Sequence, residues 1–462
     1  MFERRSQKNS IAIEKIFAVL VVVFTSITFI IQPVFSIPDE GAHFTNAYSI
    51  FHDDPKRGNF SEYRNQYSNN IDMYRNFTFI ERFTKKRTYN QDKLGFNFTL
   101  GRVQYLPQSV GMLLGQFIYP SAGVLLSFGR LFNLIIYILA IYFAIKKAKF
   151  GKWMMAAVAL LPMSIQQAVS ISYDVFFFVT VFLTFSLVTN LVTRQERLKW
   201  RDYLPIFFVI CLLFTAKQSS LVMLLYFLAL PVSLIKPNFF TSIIDAIWQF
   251  FNRYRLLFVV LIILSSLVFI QYYFKNYDGL TRGLQVLFNT FFRPDIKTDL
   301  DSTVVTGIVG NFGWLTHRFP EWFVILDFIF LFLILLNEPK IKLQNRFVFT
   351  STIIFLINII MVSMTMFTLW TVGALKQFDF MHAVGEQGRY YTPFLLCLIP
   401  MGIFLQKFIT VKISNFVMRD LFVSVVVINF IYFVVLTLLF YYTTDGGVRF
   451  ILQIIKWIRG IL

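Results

Sequence analysis

What most limits this chain's folding is a succession of apolar runs, each close to the length of a bilayer-crossing helix. One ends near Ile31, and others lie near 121–145, 153–169, 175–193, 204–216, 219–235, 255–274, 321–337, 347–372, 390–407 and 419–442. A hydrocarbon layer takes roughly 20 residues of α-helix to cross. The pattern therefore predicts an all-α, polytopic integral membrane protein of about eleven transmembrane helices. Composition enters as an exclusion: 56% of residues are apolar and 15% charged, against about 45–50% and 25% in soluble domains. Fifty-eight Phe are too many to hide in one water-facing core, so a soluble globular enzyme is excluded. In a soluble chain a net charge of +18 would point to nucleic acid. Here basic residues are expected in loops on one side, against anionic head groups, and no nucleic-acid partner is expected. Cys211 and Cys397 both lie in apolar runs, which fits neither a disulfide framework nor a zinc site.

Orientation follows from the basic residues. Arg4, Arg5, Lys8 and Lys15 precede the first apolar run, which has no small-residue cleavage site after it. It reads as an uncleaved first helix with a cytoplasmic N-terminus. Every second short loop then carries three or four Lys or Arg, including Lys146–Lys152, Arg194–Arg201 and Lys340–Arg346, as the positive-inside rule requires. The expected organisation is a single polytopic domain over 1–442, with large extracytoplasmic loops at 34–120 and 275–320. The moderately apolar Val103–Tyr119 is expected to lie at the interface or re-enter the membrane, because a crossing there would put the basic 146–152 loop outside. Residues 448–462, in the terminal piece 443–462, place Arg449, Gln453 and Lys456 opposite apolar residues, an amphipathic interfacial helix. The pair of short runs around Lys217 can also be read as one broken helix.

Four places could carry chemistry. Pro38-Asp39-Glu40-Gly41-Ala42-His43 follows the first helix; if a helix starts there, two carboxylates and an imidazole converge, although Pro and acids also suit an ordinary helix start. Ser170-Ile171-Ser172-Tyr173-Asp174 lies at a span boundary, where an Asp can also simply begin a wet helix. Gly385-Glu386-Gln387-Gly388-Arg389-Tyr390-Tyr391 sets a Glu and an Arg beside two aromatics, which could equally be an interface belt with a local ion pair. Arg130, with Asn133, lies two turns inside a span. Intramembrane charges usually face a polar cavity, and snorkelling is the alternative. Under the expected topology Asp39, Glu40, His43, Arg130, Asp174, Lys217, Glu386 and Arg389 all fall on the outer face. Acids and bases gathered at one membrane surface suit a lipid-phosphate substrate: cations bind phosphate and a carboxylate takes a hydroxyl proton. There is no P-loop, Rossmann glycine pattern, G-x-S-x-G or H-E-x-x-H, and a nucleotide-sugar donor is not expected. The Asn-x-Ser/Thr triplets at Asn59, Asn76 and Asn97 carry little weight in an Asn-rich loop.

Taken in order, Pro38-Asp39-Glu40-x-x-His43-Phe44, Ser170-x-Ser172-x-Asp174, Gly313-Trp314-Leu315 and Gly388-Arg389-Tyr390 followed by Pro393 make the chain resemble the bacterial polytopic family called domain of unknown function 2142. The likeness covers roughly residues 15–440. One departure is Gly41, where that family more often has Pro. The family in turn resembles the GT-C superfamily of lipid-phosphate-sugar glycosyltransferases. That resemblance implies a GT-C-like first extracytoplasmic loop and inverting transfer of a sugar from a polyprenyl-phosphate donor to a glycan or lipid-linked acceptor. Asp39 would be base or metal anchor and Glu40 its catalytic neighbour, with His43 in support. Arg389, Arg130 and Lys217 would hold the lipid phosphate, with Glu386 and Tyr390 alongside. Asp174 would bind acceptor or, with Asp39, a divalent cation such as Mg or Mn. The competing readings are a transporter or flippase for lipid-linked oligosaccharide, a polymerase or ligase joining glycan blocks, and a non-catalytic assembly protein. Transporters usually carry ionisable residues at mid-membrane, unlike the one-faced clustering here.

Overall fold

In the computed structural model, the described residues are 12–52, 83–84, 94–293, 304–411 and 413–442. The segment 448–462, expected to be amphipathic, the triplets at Asn59 and Asn76, and the three acids of the second large loop, Asp295, Asp299 and Asp301, lie outside them. In chain order the helices are α1 (Ile13–Ile31), α2 (Glu40–Tyr48), α3 (Leu106–Ile118), α4 (Ala122–Lys147), α5 (Lys152–Leu160), α6 (Pro162–Ala168), α7 (Asp174–Val192), α8 (Tyr203–Thr215), α9 (Leu225–Ala229), α10 (Phe239–Arg253), α11 (Arg255–Tyr273), α12 (Gly279–Phe292) and α13 (Val304–Val309). A short antiparallel hairpin follows, β1 (Asn311–Phe312) and β2 (His317–Arg318), pairing Asn311 with Arg318 and Phe312 with His317. Then come α14 (Glu321–Asn337), α15 (Asn345–Thr365), α16 (Ile399–Leu405) and α17 (Asn415–Tyr442).

Five helices among the described residues are long and apolar enough to cross a membrane: Ile13–Ile31, Ala122–Lys147, Asp174–Val192, Asn345–Ala374 and Asn415–Tyr442. Shorter apolar helices lie at Gln218–Ala229, Val259–Tyr273 and Thr392–Leu405. The chain is thus a helical membrane protein in which some expected spans are short or broken, for identifiable reasons. Pro162 lacks an amide hydrogen and pushes Leu161 out of helical geometry, so the 153–169 run becomes α5 and α6. The 204–235 stretch bends at Lys217 into α8 and a 3₁₀ segment, Gln218–Leu224, leading into α9. At the end of α15 the backbone loosens into a π-helix, Met366–Ala374, a form often found beside functional sites.

Packing explains which helices form the centre. α5, α6 and α7 are buried almost all round, whereas α11 exposes Leu256, Val259, Leu264 and Phe269, as expected of a lipid-facing surface. In lipid, helices associate through close packing and interhelical hydrogen bonds, and both occur here. A side chain at Gly111 of α3 would overlap the backbone of Phe128, so α3 lies tightly antiparallel on α4. Phe24 of α1 stacks on Phe430 of α17 at 4.0 Å. Asn429 donates to Asp327 at 2.6 Å across α17 and α14, and Tyr226 and Ser351 share a 2.6 Å bond. Glu338 accepts the Gly151 and Met154 amides at 3.1 and 3.0 Å, capping α5 from another part of the chain. The segment 236–254, expected as loop, contains the amphipathic α10, whose start is fixed by a reciprocal Asn238–Thr241 cap.

Candidate functional site

The turn between α1 and α2 presents the first acidic pair. Phe35 and Asp39 both have φ near +60°, a region costing a non-glycine residue roughly 1–2 kcal/mol. Such strain persists only where surroundings impose it, and it clusters at functional sites. Part of the restraint comes from Trp314 in the hairpin turn, whose indole donates to the Phe35 carbonyl at 2.8 Å. Asp39 sits just before α2 and Glu40 is its first residue; the two carboxylates then part company.

Glu40 is fully buried, as is Arg130. Arg130 Nε and Nη2 donate to Glu40 Oε1 at 3.1 and 2.9 Å, and Nη2 also reaches Oε2 at 3.0 Å. Nη1 and Nη2 also donate to the Gln32 and Pro33 carbonyls at 3.0 and 2.9 Å. The Ile171 amide donates to Glu40 Oε1 at 3.1 Å, and Asn133 donates to the Ser170 and Ser172 carbonyls at 2.8 and 3.0 Å. These bonds are short and engage both charges, tying α1, α2, α4 and the turn before α7 together.

Asp39 belongs to a different group. Its side chain is 53% exposed, and Arg389 Nη2 lies 3.5 Å from its Oδ2. Arg389 Nε is 3.3 Å from Asp174 Oδ2, an ion pair off hydrogen-bond geometry, and Nη1 donates to Gln167 at 3.5 Å. Asp174, 3% exposed, also pairs with Lys217. The Lys217 ammonium stands 4.3, 4.9 and 5.2 Å from the rings of Tyr390, Tyr173 and Phe177, within cation–π range. Burial disfavours the Arg389 charge, but Asp174 and Asp39 more than offset this and hold it protonated. Two arginines expected to act alike therefore differ: Arg130 is locked by bonds of 2.9–3.1 Å, while Arg389 reaches its carboxylates only at 3.3–3.5 Å.

His43 packs edge-on to Tyr173, ring centres 4.6 Å apart, and its Nδ1 shares a 2.9 Å hydrogen bond with the Tyr105 hydroxyl. Burial pulls its pKa down from 6.5 to about 3, so the imidazole is neutral at physiological pH. Glu386 accepts hydrogen bonds from Ser363 at 2.8 Å and from Tyr391, which ties its carboxylate to α15 and to the turn that carries Arg389. The Arg389 turn is possible because Gly388 has no side chain: a Cβ there would collide with the backbone of Gly307 and Ile308.

Two cavities meet this group. An open cleft of about 430 Å³ is bordered by Tyr173, Lys217, Tyr390, Met361, Val362 and Met366, charged at one end and apolar along α15. Behind Arg389 is a void of about 10 Å³ among Gln166, Gln167, Asn311 and Gln387, room for about one water; the buried Asn311 amide has no protein partner there.

Asp39 and Asp174 suit a divalent cation poorly. Both carboxylates face the Arg389 guanidinium, and Asp174 also takes the Lys217 ammonium, so a metal would have to displace two fixed cations. Among the described residues no three His, Cys, Asp or Glu side chains come together as a ligand set.

Sequence reading named Asp39, Asp174, Lys217, Arg389 and Tyr390, which meet here, and Glu40 with Arg130, which pair beside them. It gave no role to Tyr105, Gln167, Trp314 or Ser363. The Gln166-Gln167 pair ending an apolar run, and Trp314 within the quoted Gly-Trp-Leu triplet, were the available signals.

These features define a helical membrane protein with a buried, charge-balanced polar centre at the ends of its helices, open to a partly apolar cleft. The chain belongs to the family described as "Predicted membrane protein (DUF2142)", whose family model matches residues 22–398 and so takes in the Asp39 turn, Asp174, Lys217 and Arg389. No curated protein and no solved structure matches the chain.

Proposed function

We propose that this protein is a membrane glycosyltransferase of GT-C type that moves a sugar from a polyprenyl-phosphate donor to a glycan or lipid-linked acceptor. The N-terminus is placed in the cytoplasm and the site on the extracytoplasmic face, as the basic loops favour. The observation that carries the reading is the contrast between the two buried arginines. A guanidinium clamped by short bonds on every nitrogen is structural; one with long contacts, beside an ammonium and an exposed carboxylate, retains donors for an incoming phosphate.

In this reading Lys217 and Arg389 bind the donor phosphate, and Tyr173, Tyr390 and Asp174 hold both cations in place. The cleft along Met361, Val362 and Met366 takes the first isoprene units. Asp39, half exposed where Asp174 is buried, is the carboxylate that an acceptor hydroxyl can reach. The hydroxyl oxygen attacks the anomeric carbon from the face opposite the phosphate, and its proton passes to Asp39 Oδ. The bond from the anomeric carbon to the phosphate oxygen breaks, its electron pair leaving on the phosphate, where the two cations stabilise the charge. Glu40, Arg130 and His43 act as positioning residues: the first two fix the turn carrying Asp39, and the neutral imidazole supports Tyr105 and Tyr173. Glu386 holds Tyr391 and Ser363 beneath the site.

The test is transfer of radiolabelled sugar from a polyprenyl-phosphate donor in membranes bearing equal amounts of wild type, Asp39→Asn or Arg389→Ala. Loss of transfer in both, at unchanged protein level, supports the assignment. Wild-type rates in both variants would sink it, and accumulation of lipid-linked sugar on the inner leaflet would favour a flippase instead.

A further inference from the structure

The far end of α15 carries a further polar cavity, apart from the two described above. Arg346 is the second residue of α15 and Val362 its eighteenth. At 1.5 Å per residue the two are separated by roughly 24 Å along the helix, most of a bilayer's hydrocarbon thickness. Around Arg346 lies an open cleft of about 660 Å³ formed by α10, the loop leading into α15, and the end of α16, with Asp245, Trp248, Asn252, Lys342, Arg346 and Lys407 on its walls.

Three cations there face one acid. Arg346 Nη1 is 3.9 Å from Asp245 Oδ1, with side-chain exposures of 14% and 49%, so this pair is loose. Arg346 Nε is buried and has no hydrogen-bond partner. A buried guanidinium hydrogen without an acceptor is costly. Lys342 and Lys407 are exposed at the rim, the latter 4.6 Å from the Phe404 ring. The cleft therefore has two positive charges in excess and a guanidinium on its wall, a combination that suits phosphate oxygens.

α10 indicates where that phosphate comes from. The helix exposes Phe239, Phe240, Ile243, Ile247 and Phe250, while Trp248 turns inward and donates to the Leu228 carbonyl at 2.9 Å. A helix with one such greasy face lies in the membrane interface, which brings the cleft to head-group depth. We propose that the cleft between α10 and the start of α15 binds a phosphate-bearing anion, held by Arg346, Lys342 and Lys407 and supplied by the head group of an anionic membrane lipid. This site is independent of the glycosyltransferase reading, and its test involves no sugar transfer.

The experiment is native mass spectrometry of the full chain released from nanodiscs of mixed phosphatidylglycerol and phosphatidylcholine. Wild type should retain phosphatidylglycerol over phosphatidylcholine by about tenfold, the value of one good charged hydrogen-bonded contact. Arg346→Gln should abolish the preference, and Arg346→Lys should restore part of it. Lys342→Gln and Lys407→Gln, both at exposed positions, test the same cleft without disturbing the fold. Displacement of the lipid by inorganic phosphate would identify the phosphate group alone as what is read; retention against it would identify the whole head group. The proposal is overturned if wild type shows no preference, or if Lys199→Gln in another exposed basic loop reduces retention as much as the cleft variants do.

Discussion

Adjacent acids, Asp39 and Glu40, should answer opposite questions when neutralised one at a time. Glu40→Gln keeps the shape but leaves Arg130 buried with its charge uncompensated. Breaking a buried pair from one side costs about 3–5 kcal/mol. Asp39 is half exposed and its contact to Arg389 is 3.5 Å, so Asp39→Asn should cost at most about 1 kcal/mol. With an unfolding entropy of about 2.1 cal/mol/K per residue, a 462-residue chain changes stability by roughly 1 kcal/mol per degree near its midpoint. Glu40→Gln should then lower Tm by about 3–5 °C and Asp39→Asn by about 1 °C or less. Thermal unfolding of purified protein in detergent measures both, alongside sugar transfer in membranes. Under the proposed roles, Asp39→Asn is stable and inactive, whereas Glu40→Gln is unstable with whatever activity its folded fraction retains. A double variant, Glu40→Gln with Arg130→Met, should recover much of the lost stability, because no unpaired charge remains. If Glu40→Gln melted within about 1 °C of wild type, or Asp39→Asn fell as far as Glu40→Gln, the division between clamp and reactive group would be wrong.

Other outcomes follow from single contacts. Trp314→Phe keeps a ring in place but removes the bond to the Phe35 carbonyl, worth about 1 kcal/mol; the turnover rate should fall well beyond the small drop in Tm, because Asp39 loses its fixed position. His43 binds a proton far more weakly folded (pKa about 3) than at its ordinary 6.5. It should therefore leave stability unaffected above pH 6.5 and erode it progressively as pH falls toward 3, by a few kcal/mol in total; a Tm–pH profile should flatten over this window in His43→Gln. Gly388→Ala should cost about 3 kcal/mol or more through backbone overlap with Gly307 and Ile308, visible as lost yield and a depressed Tm.

Sequence alone identifies the membrane class because apolar runs of about 20 residues admit few other folds. It also makes Asp174, Lys217 and Arg389 conspicuous, since a charge in an apolar chain is costly and rare. Who pairs with whom is not readable that way. Arg130 lies 90 residues from Glu40, and nothing in either motif assigns it to Glu40 rather than Asp39. The same holds for Trp314, whose indole reaches back to Phe35 across 279 positions. The amphipathic α10 was legible from its Asn238–Thr241 start and alternating faces, but its charged, loop-like flanks masked it. The cationic neighbours of Asp39 and Asp174 are hidden in the same way: the two Asp residues look like metal ligands until Arg389 and Lys217 are placed.

α8 has 13 residues, about 20 Å of helix, against a hydrocarbon slab of about 30 Å. A rod that short cannot bridge the full slab, so its end at Thr215, just before Lys217, is sunk beneath one surface or the surrounding lipid is pinched to meet it. Under the proposed function, either arrangement would let a tethered chain slide sideways from the leaflet to the ammonium without first being lifted into water. If the protein takes a lipid-tethered substrate, as proposed, the bend at Lys217 would be its lateral doorway, at a depth set by the length of one helix.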